Sequence, residues 1–167
     1  NAAAPAGFRK VVTAAHDLGL VVHLDGARIF NASVAWDVDV NTYTGLVDSV
    51  QLCLSKGLGA PVGSIVCGKS AFVVEARHWR KVLGGGMRQA GVLAAAGLVA
   101  LEENVSRLAE DHENAAILAE QLGSAEISVE TCPKRTNMVY LGIRKEGLTA
   151  GELADRCRLK GVLFNVV

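Results

Sequence analysis

The sequence predicts an α/β fold, a mostly parallel sheet with one reversed strand, followed by the start of a smaller α+β unit. Three observations carry this. Short β-prone runs alternate with stretches of helical spacing over residues 1–100. The gap between the first two runs leaves room for a helical crossover, whereas the gap between the second and third does not. After Gly123 the texture changes again, to a pair of short strand candidates and one capped helix.

Residues 8–18, FRKVVTAAHDL, place Phe8, Val11, Val12, Ala15 and Leu18 on one helical stripe, and Gly19 supplies a stop. LVVHLD, Leu20 to Asp25, reads as a strand. Ser49 to Ser55, SVQLCLS, is the second strand and Gly63 to Gly68 the third. The first two can run parallel, and the third, after the short GLGAPVG link, should return antiparallel. AFVVEARHWRKVL returns to helical spacing with Phe72, Ala76, Trp79 and Leu83 inward, until Gly84, Gly85 and Gly86 break it. From Met87 to about Leu122 a single long helix is expected, because Leu101, Val105, Leu108, His112, Ala115, Ala119 and Leu122 repeat at steps of four and three. EISVE and TNMVYLGI are then strand candidates, and TAGELADRCRLKG is a helix with a Thr149/Glu152 capping box and a Gly161 stop. The expected division is 1–100, a connecting long helix 101–123, and a partial unit 124–167.

Composition narrows the function. Half of the 167 residues are hydrophobic and 20% are charged, a globular profile able to bury a core. Seventeen basic residues balance seventeen acidic ones without a like-charge run, so a nucleic-acid surface is not expected and a small zwitterionic ligand fits better. Cys53, Cys67, Cys132 and Cys157 are widely spaced without C-x-x-C pairs or neighbouring histidines, so zinc is not expected and most are read as reduced core thiols. No stretch approaches the ~20 apolar residues of a membrane span, and a cytoplasmic or organelle-matrix protein is expected. The chain starts on Asn1 and stops inside VLFNVV, which reads as a strand cut short, so a piece of a longer polypeptide is expected.

Asp25 and Lys56 are the residues that invite chemistry. Both follow apolar strands, and if those strands are parallel both emerge at the carboxyl edge of the sheet, where open α/β sheets bind ligands. Arg28 follows Asp25 by three positions in DGAR; an Asp25–Arg28 ion pair closing a turn is the structural alternative. A lysine after largely apolar residues and beside glycines is expected to be partly desolvated, which enriches the nucleophilic neutral amine; an exposed loop lysine is the alternative. GLGAPVG fits neither a dinucleotide fingerprint, since Val62 holds the third glycine position, nor a P-loop. GGGMRQAG sets Arg88 in what should be the first turn of a helix, suited to an anion, or else forms a hinge. His23 is read as a hydrogen-bonded core histidine and His112 as a packed residue on the long helix; His16 and His78 have no evident partner.

HLDGARIFNA, SVQLCLSKGLGAPVGS and RKVLGGGMRQAGVLAAAG, in this order, resemble the L-threonine aldolases, a family of fold-type I, aspartate-aminotransferase-like enzymes that use pyridoxal 5′-phosphate. The likeness runs from about Gly19 to Leu101 and continues weakly through TNMVYL and KGVLFN. It implies that Lys56 carries the cofactor as a Schiff base and that Asp25 pairs with its pyridine nitrogen. It also implies that Arg28 sits near the phenolic oxygen, that Arg88 contacts the phosphate or a neighbouring active site, and that Ser55 donates to the phosphate. The implied reaction cleaves threonine or a related β-hydroxy amino acid to glycine and an aldehyde, in a homodimer or homotetramer. Another fold-type I lyase, by β-elimination, and a non-catalytic remnant are the competing readings. The family's phosphate-gripping loop, ring-stacking residue and active-site histidines would lie upstream of this sequence, and its carboxylate-binding arginine downstream.

Overall fold

A computed structural model describes residues 2–124 and 126–166. Helix α1 spans Pro5–Asp17, with Pro5 in the first turn where its missing N–H is not needed. It ends in a Schellman arrangement: Gly19 N–H donates to His16 C=O and Leu20 N–H to Ala15 C=O, with Gly19 at φ +72°. Of the expected stripe only Val12 is buried; Phe8 and Ala15 are half-buried, and Val11 and Leu18 face outward.

Strand β1, His23–Asp25, is shorter than expected. It leads through α2, Ile29–Trp36, and α3, Asn41–Thr44, to β2, Ser49–Cys53. β1 and β2 pair in parallel with Asp25 opposite Gln51. β3, Ser64–Gly68, returns antiparallel with Gln51 opposite Val66. Both senses follow from the link lengths. The resulting three-stranded sheet, in the order β1-β2-β3, holds one parallel and one antiparallel pairing, so a mostly parallel sheet is not visible within this chain.

Two apolar clusters flank the sheet. Ile29, Tyr43 and Val50 form one, and Leu54, Leu58, Ala60, Ala100 and Leu108 the other; Phe30 and Leu52 touch both. Leu24, Val50 and Leu52, near the carboxyl ends of β1 and β2, belong to or pack on these clusters.

Helix α4, Ser70–Val82, departs from expectation: none of its residues is buried, and Trp79 and the following Leu83 are 52% and 80% exposed. Its spacing is helical, and Phe72 packs on the sheet beside Gly68 and the His23 ring, but among the described residues Trp79 and Leu83 are left uncovered. The expected single helix from Met87 to Leu122 is two, α5 at Gly91–Glu103 and α6 at Leu108–Leu122. Heptad-like spacing runs through the break because Leu101 and Val105 both pack on the Leu54/Leu108 cluster, so packing does not require an unbroken helix. On α6, Leu108, Ala115 and Ala119 are buried and His112 is half-buried on the same face.

β4, Ile127–Val129, and β5, Leu141–Ile143, form a separate antiparallel pair, shorter than EISVE and TNMVYLGI suggested. α7, Ala150–Arg158, carries the expected capping box, with Glu152 N–H donating to Thr149 Oγ1 and Thr149 N–H to Glu152 Oε2. Gly161, at φ +78°, ends it. Residues 162–166 are irregular rather than extended into a strand, and Val167 lies outside the described residues. Among the described residues no helix is long and apolar enough to cross a membrane.

Candidate active site at the carboxyl edge of the parallel pair

The DGAR segment turns sharply out of β1. Gly26 N–H donates to Gln51 C=O at 2.8 Å, and a Cβ at Gly26 would stand 3.0 Å from that oxygen and from Val50 Cγ2. Only glycine lets the chain pass so close to β2. The turn leaves Asp25 exposed beside the strand end and sets Arg28 at the N-terminal boundary of α2. Asp25 Oδ1 accepts from Gln51 Nε2 and from Ala27 N–H, the latter at 3.2 Å. Gln51 is its register partner, so both side chains leave the sheet on one face.

Arg28 is half-buried, and its Nε is buried without a hydrogen-bond partner among the described residues. The Asp25–Arg28 ion pair, the structural alternative for this motif, is not formed among the described residues. A buried donor left unmatched costs about 1–3 kcal/mol. What this position calls for is an acceptor oxygen supplied from outside the chain segment.

Lys56 leaves the carboxyl end of β2 in a turn closed by Gly59 N–H donating to Lys56 C=O at 2.9 Å and Ala60 N–H to Leu54 C=O at 3.0 Å. Lys56 is exposed, so the expected partial desolvation of its amine is not present within this chain. Its stem leaves the turn outward, because the apolar residues preceding it, Leu52 and Leu54, face the core while the glycines beside it provide no cover. Arg28 connects the two functional groups: with Asp25 it lines a cavity of about 220 Å³, and with Lys56 it lines a second of about 10 Å³, roughly one water. Asn31 lines both.

Ser55 is exposed beside Lys56. Arg88 is exposed and lies in the turn before α5 rather than in its first helical turn, because that helix begins only at Gly91. No hydrogen bond or ion pair among the described residues joins Arg88 to Asp25, Arg28 or Lys56. His23 bonds Ser49 Oγ at 2.8 Å but is exposed, not a core residue, since it opens β1 at the sheet's other edge. His16 pairs there with Asp48 at 3.0 Å. The four cysteines carry free thiols, three half-buried and Cys67 exposed.

Three polar residues of the site escaped sequence reading. Gln51 holds Asp25; Asn31, 4% exposed, bonds His112 Nε2 at 3.1 Å; and Asn104 Nδ2 donates to Leu58 C=O at 2.8 Å. Asn31 carried the one available signal, a polar residue among apolar ones in RIFNA at helical spacing.

The model of the beta-eliminating lyase family matches residues 2–145. This chain belongs to that family. It is similar to the low specificity L-threonine aldolase of Escherichia coli K12, at 47% identity over 146 residues, covering 87% of this chain and 43% of that protein. It is also similar to low-specificity L-threonine aldolase 1 of Arabidopsis thaliana, at 47% identity over 157 residues, covering 93% of this chain and 44% of the relative. Among solved structures, one from Exiguobacterium sp. 255-15, assigned to the aromatic amino acid beta-eliminating lyases/threonine aldolases, superposes with a TM-score of 0.75 at 28% identity. That likeness covers 84% of this chain and 40% of the other. A structure from Listeria monocytogenes assigned as an L-allo-threonine aldolase gives a TM-score of 0.73 at 27% identity, covering 80% and 38%. The chain thus spans about two fifths of the length of the curated relatives it matches.

The residues present fit pyridoxal 5′-phosphate. A primary amine, a carboxylate and a guanidinium with an unsatisfied Nε stand near one sheet edge, groups of the kind able to hold an aldehyde and acceptor atoms.

Proposed function

We propose that this chain is the lysine-bearing part of a pyridoxal 5′-phosphate-dependent aldolase. The enzyme splits L-threonine and L-allo-threonine, and β-hydroxy-α-amino acids of that kind, into glycine and an aldehyde by cleaving the Cα–Cβ bond. The observation that carries the reading is the placement of Asp25 and Lys56 at the carboxyl ends of two parallel neighbours, with Arg28, whose Nε is buried and unmatched among the described residues, lining a cavity with each. The names of the relatives supply the substrate class.

In this reading Lys56 Nζ would hold the cofactor covalently through its aldehyde carbon. Asp25, its Oδ1 fixed by Gln51 and Ala27, keeps a proton on the pyridine nitrogen through its negative charge. Arg28 would hold the phenolic oxygen, an acceptor that would satisfy its unmatched Nε donor. Ser55 is assigned to the phosphate, and Arg88 to the phosphate or to a neighbouring active site in a homodimer or homotetramer. When bound, the cofactor supplies the electron sink for the pair released from the breaking bond. The β-hydroxyl gives up its proton to a base, the aldehyde departs, and one proton returns to Cα to complete glycine.

Residues 1–100 are assigned to the large domain of an aspartate-aminotransferase-like, fold-type I enzyme, and residues 124–167, around β4, β5 and α7, to a small domain. The 101–123 link between them runs through the break between α5 and α6 rather than as one helix.

Product analysis of the complete protein with L-threonine tests the reading. Equimolar glycine and acetaldehyde are expected. A keto acid plus ammonia would instead assign a β-elimination. Lys56→Ala should abolish both turnover and the visible band of the bound cofactor, and unchanged turnover refutes the assignment of Lys56.

A further inference from the structure

The turn that carries Lys56 is gripped from beneath by groups to which the proposed chemistry gives no role. Lys56 makes no side-chain hydrogen bond or ion pair among the described residues and is exposed, so its backbone root is the only part this chain fixes. Two attachments fix that root. The first is direct: Leu58 C=O accepts from Asn104 Nδ2 at 2.8 Å. Asn104 is the residue on which α5 ends, so the interruption between α5 and α6 delivers this amide to the turn.

The second attachment works through packing. Gly57 approaches α6 so closely that a Cβ would stand 2.8 Å from Leu108 Cδ2, 3.6 Å from Asp111 Oδ2 and 3.7 Å from Asn31 Nδ2. Asn31 is therefore part of the wall behind Gly57. It is 4% exposed, and its amide is fixed by His112 Nε2 at 3.1 Å. As placed, the amide nitrogen donates, so Nε2 is the acceptor and the imidazole carries its proton on Nδ1. Burial holds His112 below the ordinary histidine range against the opposing pull of Asp111, which keeps the ring in the neutral form this bond requires.

We propose that Asn104 and the His112–Asn31 pair are positioning residues that clamp the Lys56–Leu58 turn and thereby set where the Lys56 amine stands relative to Asp25 and Arg28. This deepens the aldolase reading and rests on it for the role of Lys56, whereas the clamp itself is a property of the fold. Asn104 acts through the backbone of the turn, and His112 acts through Asn31, which stands behind Gly57 and lines both cavities.

The test uses the complete protein, cofactor-free and loaded with pyridoxal 5′-phosphate, in three variants: His112→Phe, which removes the acceptor; His112→Gln, whose Oε1 restores one; and Asn104→Asp, isosteric but without the donor. Amide hydrogen exchange of residues 56–60 is compared with that of β1 and β2, and the visible band of the bound cofactor is titrated against pH. His112→Phe and Asn104→Asp are expected to speed exchange of residues 56–60 about tenfold, the effect of one lost hydrogen bond, with the strands unchanged. Both should move the pH midpoint of the band, and His112→Gln should return both readouts to the parent values. Unchanged exchange in residues 56–60, an equal rise in the strands, or a glutamine variant that behaves as phenylalanine overturns the clamp. A midpoint that stays put in loaded protein overturns the link to Lys56. If His112→Phe does not fold, Asn104→Asp and His112→Gln decide on the same criteria. Absence of any cofactor band in the parent protein refutes the aldolase reading, and exchange in the cofactor-free protein still decides the clamp.

Discussion

Gly57→Ala is the smallest change that should disturb the lysine-bearing turn. The added Cβ would meet Leu108 Cδ2 at 2.8 Å, at least 0.6 Å inside the 3.4 Å at which ordinary contact begins. A flexible surface side chain would swing away, as Lys81 can from Gly86, where an added Cβ would stand 2.7 Å from Lys81 Cδ. Leu108 has no such freedom, because it is 1% exposed and packed among Leu54, Leu58, Ala60 and Ala100. Overpacking of this kind costs about 1–3 kcal/mol. Leu108→Ala alone should cost about 2–5 kcal/mol through lost burial and the cavity left behind. In the double variant the clash is gone, so the combined loss should fall short of the sum by about 1–3 kcal/mol. Urea unfolding of the complete protein, followed by far-ultraviolet circular dichroism for the parent, both single variants and the double, measures that difference. Additivity within about 0.5 kcal/mol would show that Gly57 and Leu108 are not in steric competition and would refute the close approach of the turn to α6.

Gly19→Ala should lower stability by about 1–2 kcal/mol, because the left-handed backbone at φ +72° penalises a Cβ even though the surrounding space is open; thermal unfolding reads it, and an unchanged Tm would contradict the Schellman end of α1. His112 has its folded-state value lowered by burial. Its neutral form is therefore favoured by folding, and its contribution is fully present above the ordinary histidine value and lost as pH falls below it, levelling off under the folded value. Urea midpoints at pH 8 and pH 5 should differ more in the parent than in His112→Gln, and equal differences would contradict this. Asp48 is held below the usual carboxylate range, first by the Val22 N–H and then by His16. Its contribution is present above the ordinary aspartate value and lost as pH falls through the lower folded value, so Asp48→Asn should flatten acid unfolding below about pH 4, readable by circular dichroism. Thr149→Ala removes the acceptor for Glu152 N–H and should destabilise α7 by about 1 kcal/mol; amide exchange confined to residues 150–158 checks it.

The sheet was legible in the sequence because link length decides strand sense: two dozen residues permit a parallel return, and GLGAPVG does not. That argument put Asp25 and Lys56 on one edge without any contact being known. The clamp beneath them was not legible. Apolar periodicity reports which residues face a core, and Leu101, Val105 and Leu108 do so whether or not the backbone is interrupted between them. Asn104 therefore read as one more polar residue on a long helix, although it bonds the turn across 46 positions. His112 read as packed because its partner, Asn31, lies 81 residues away. The environment of Lys56 was misjudged for a related reason: its apolar neighbours in sequence turn to the core and leave the amine uncovered. α4 shows the same limit, since spacing names an apolar face without naming what covers it.

The register of β1 on β2 also bears on the order of assembly. His23 meets Ser49 at a separation of 26 residues, and β3 follows after a short hairpin, so Asp25 and Lys56 are brought to one edge by contacts all made within residues 23–68. Closing a loop of that length costs roughly 3 kcal/mol of chain entropy beyond a constant, modest beside the burial of Ile29, Tyr43 and Val50 that accompanies it. The pairing of amine and carboxylate edges is thus a low-contact-order event, expected early in folding, while the grip of Asn104 and His112 must wait for α5 and α6 to dock. A chain made from its N-terminus would set Asp25 and Lys56 on one edge before Asn104 and His112 are available to reach the turn.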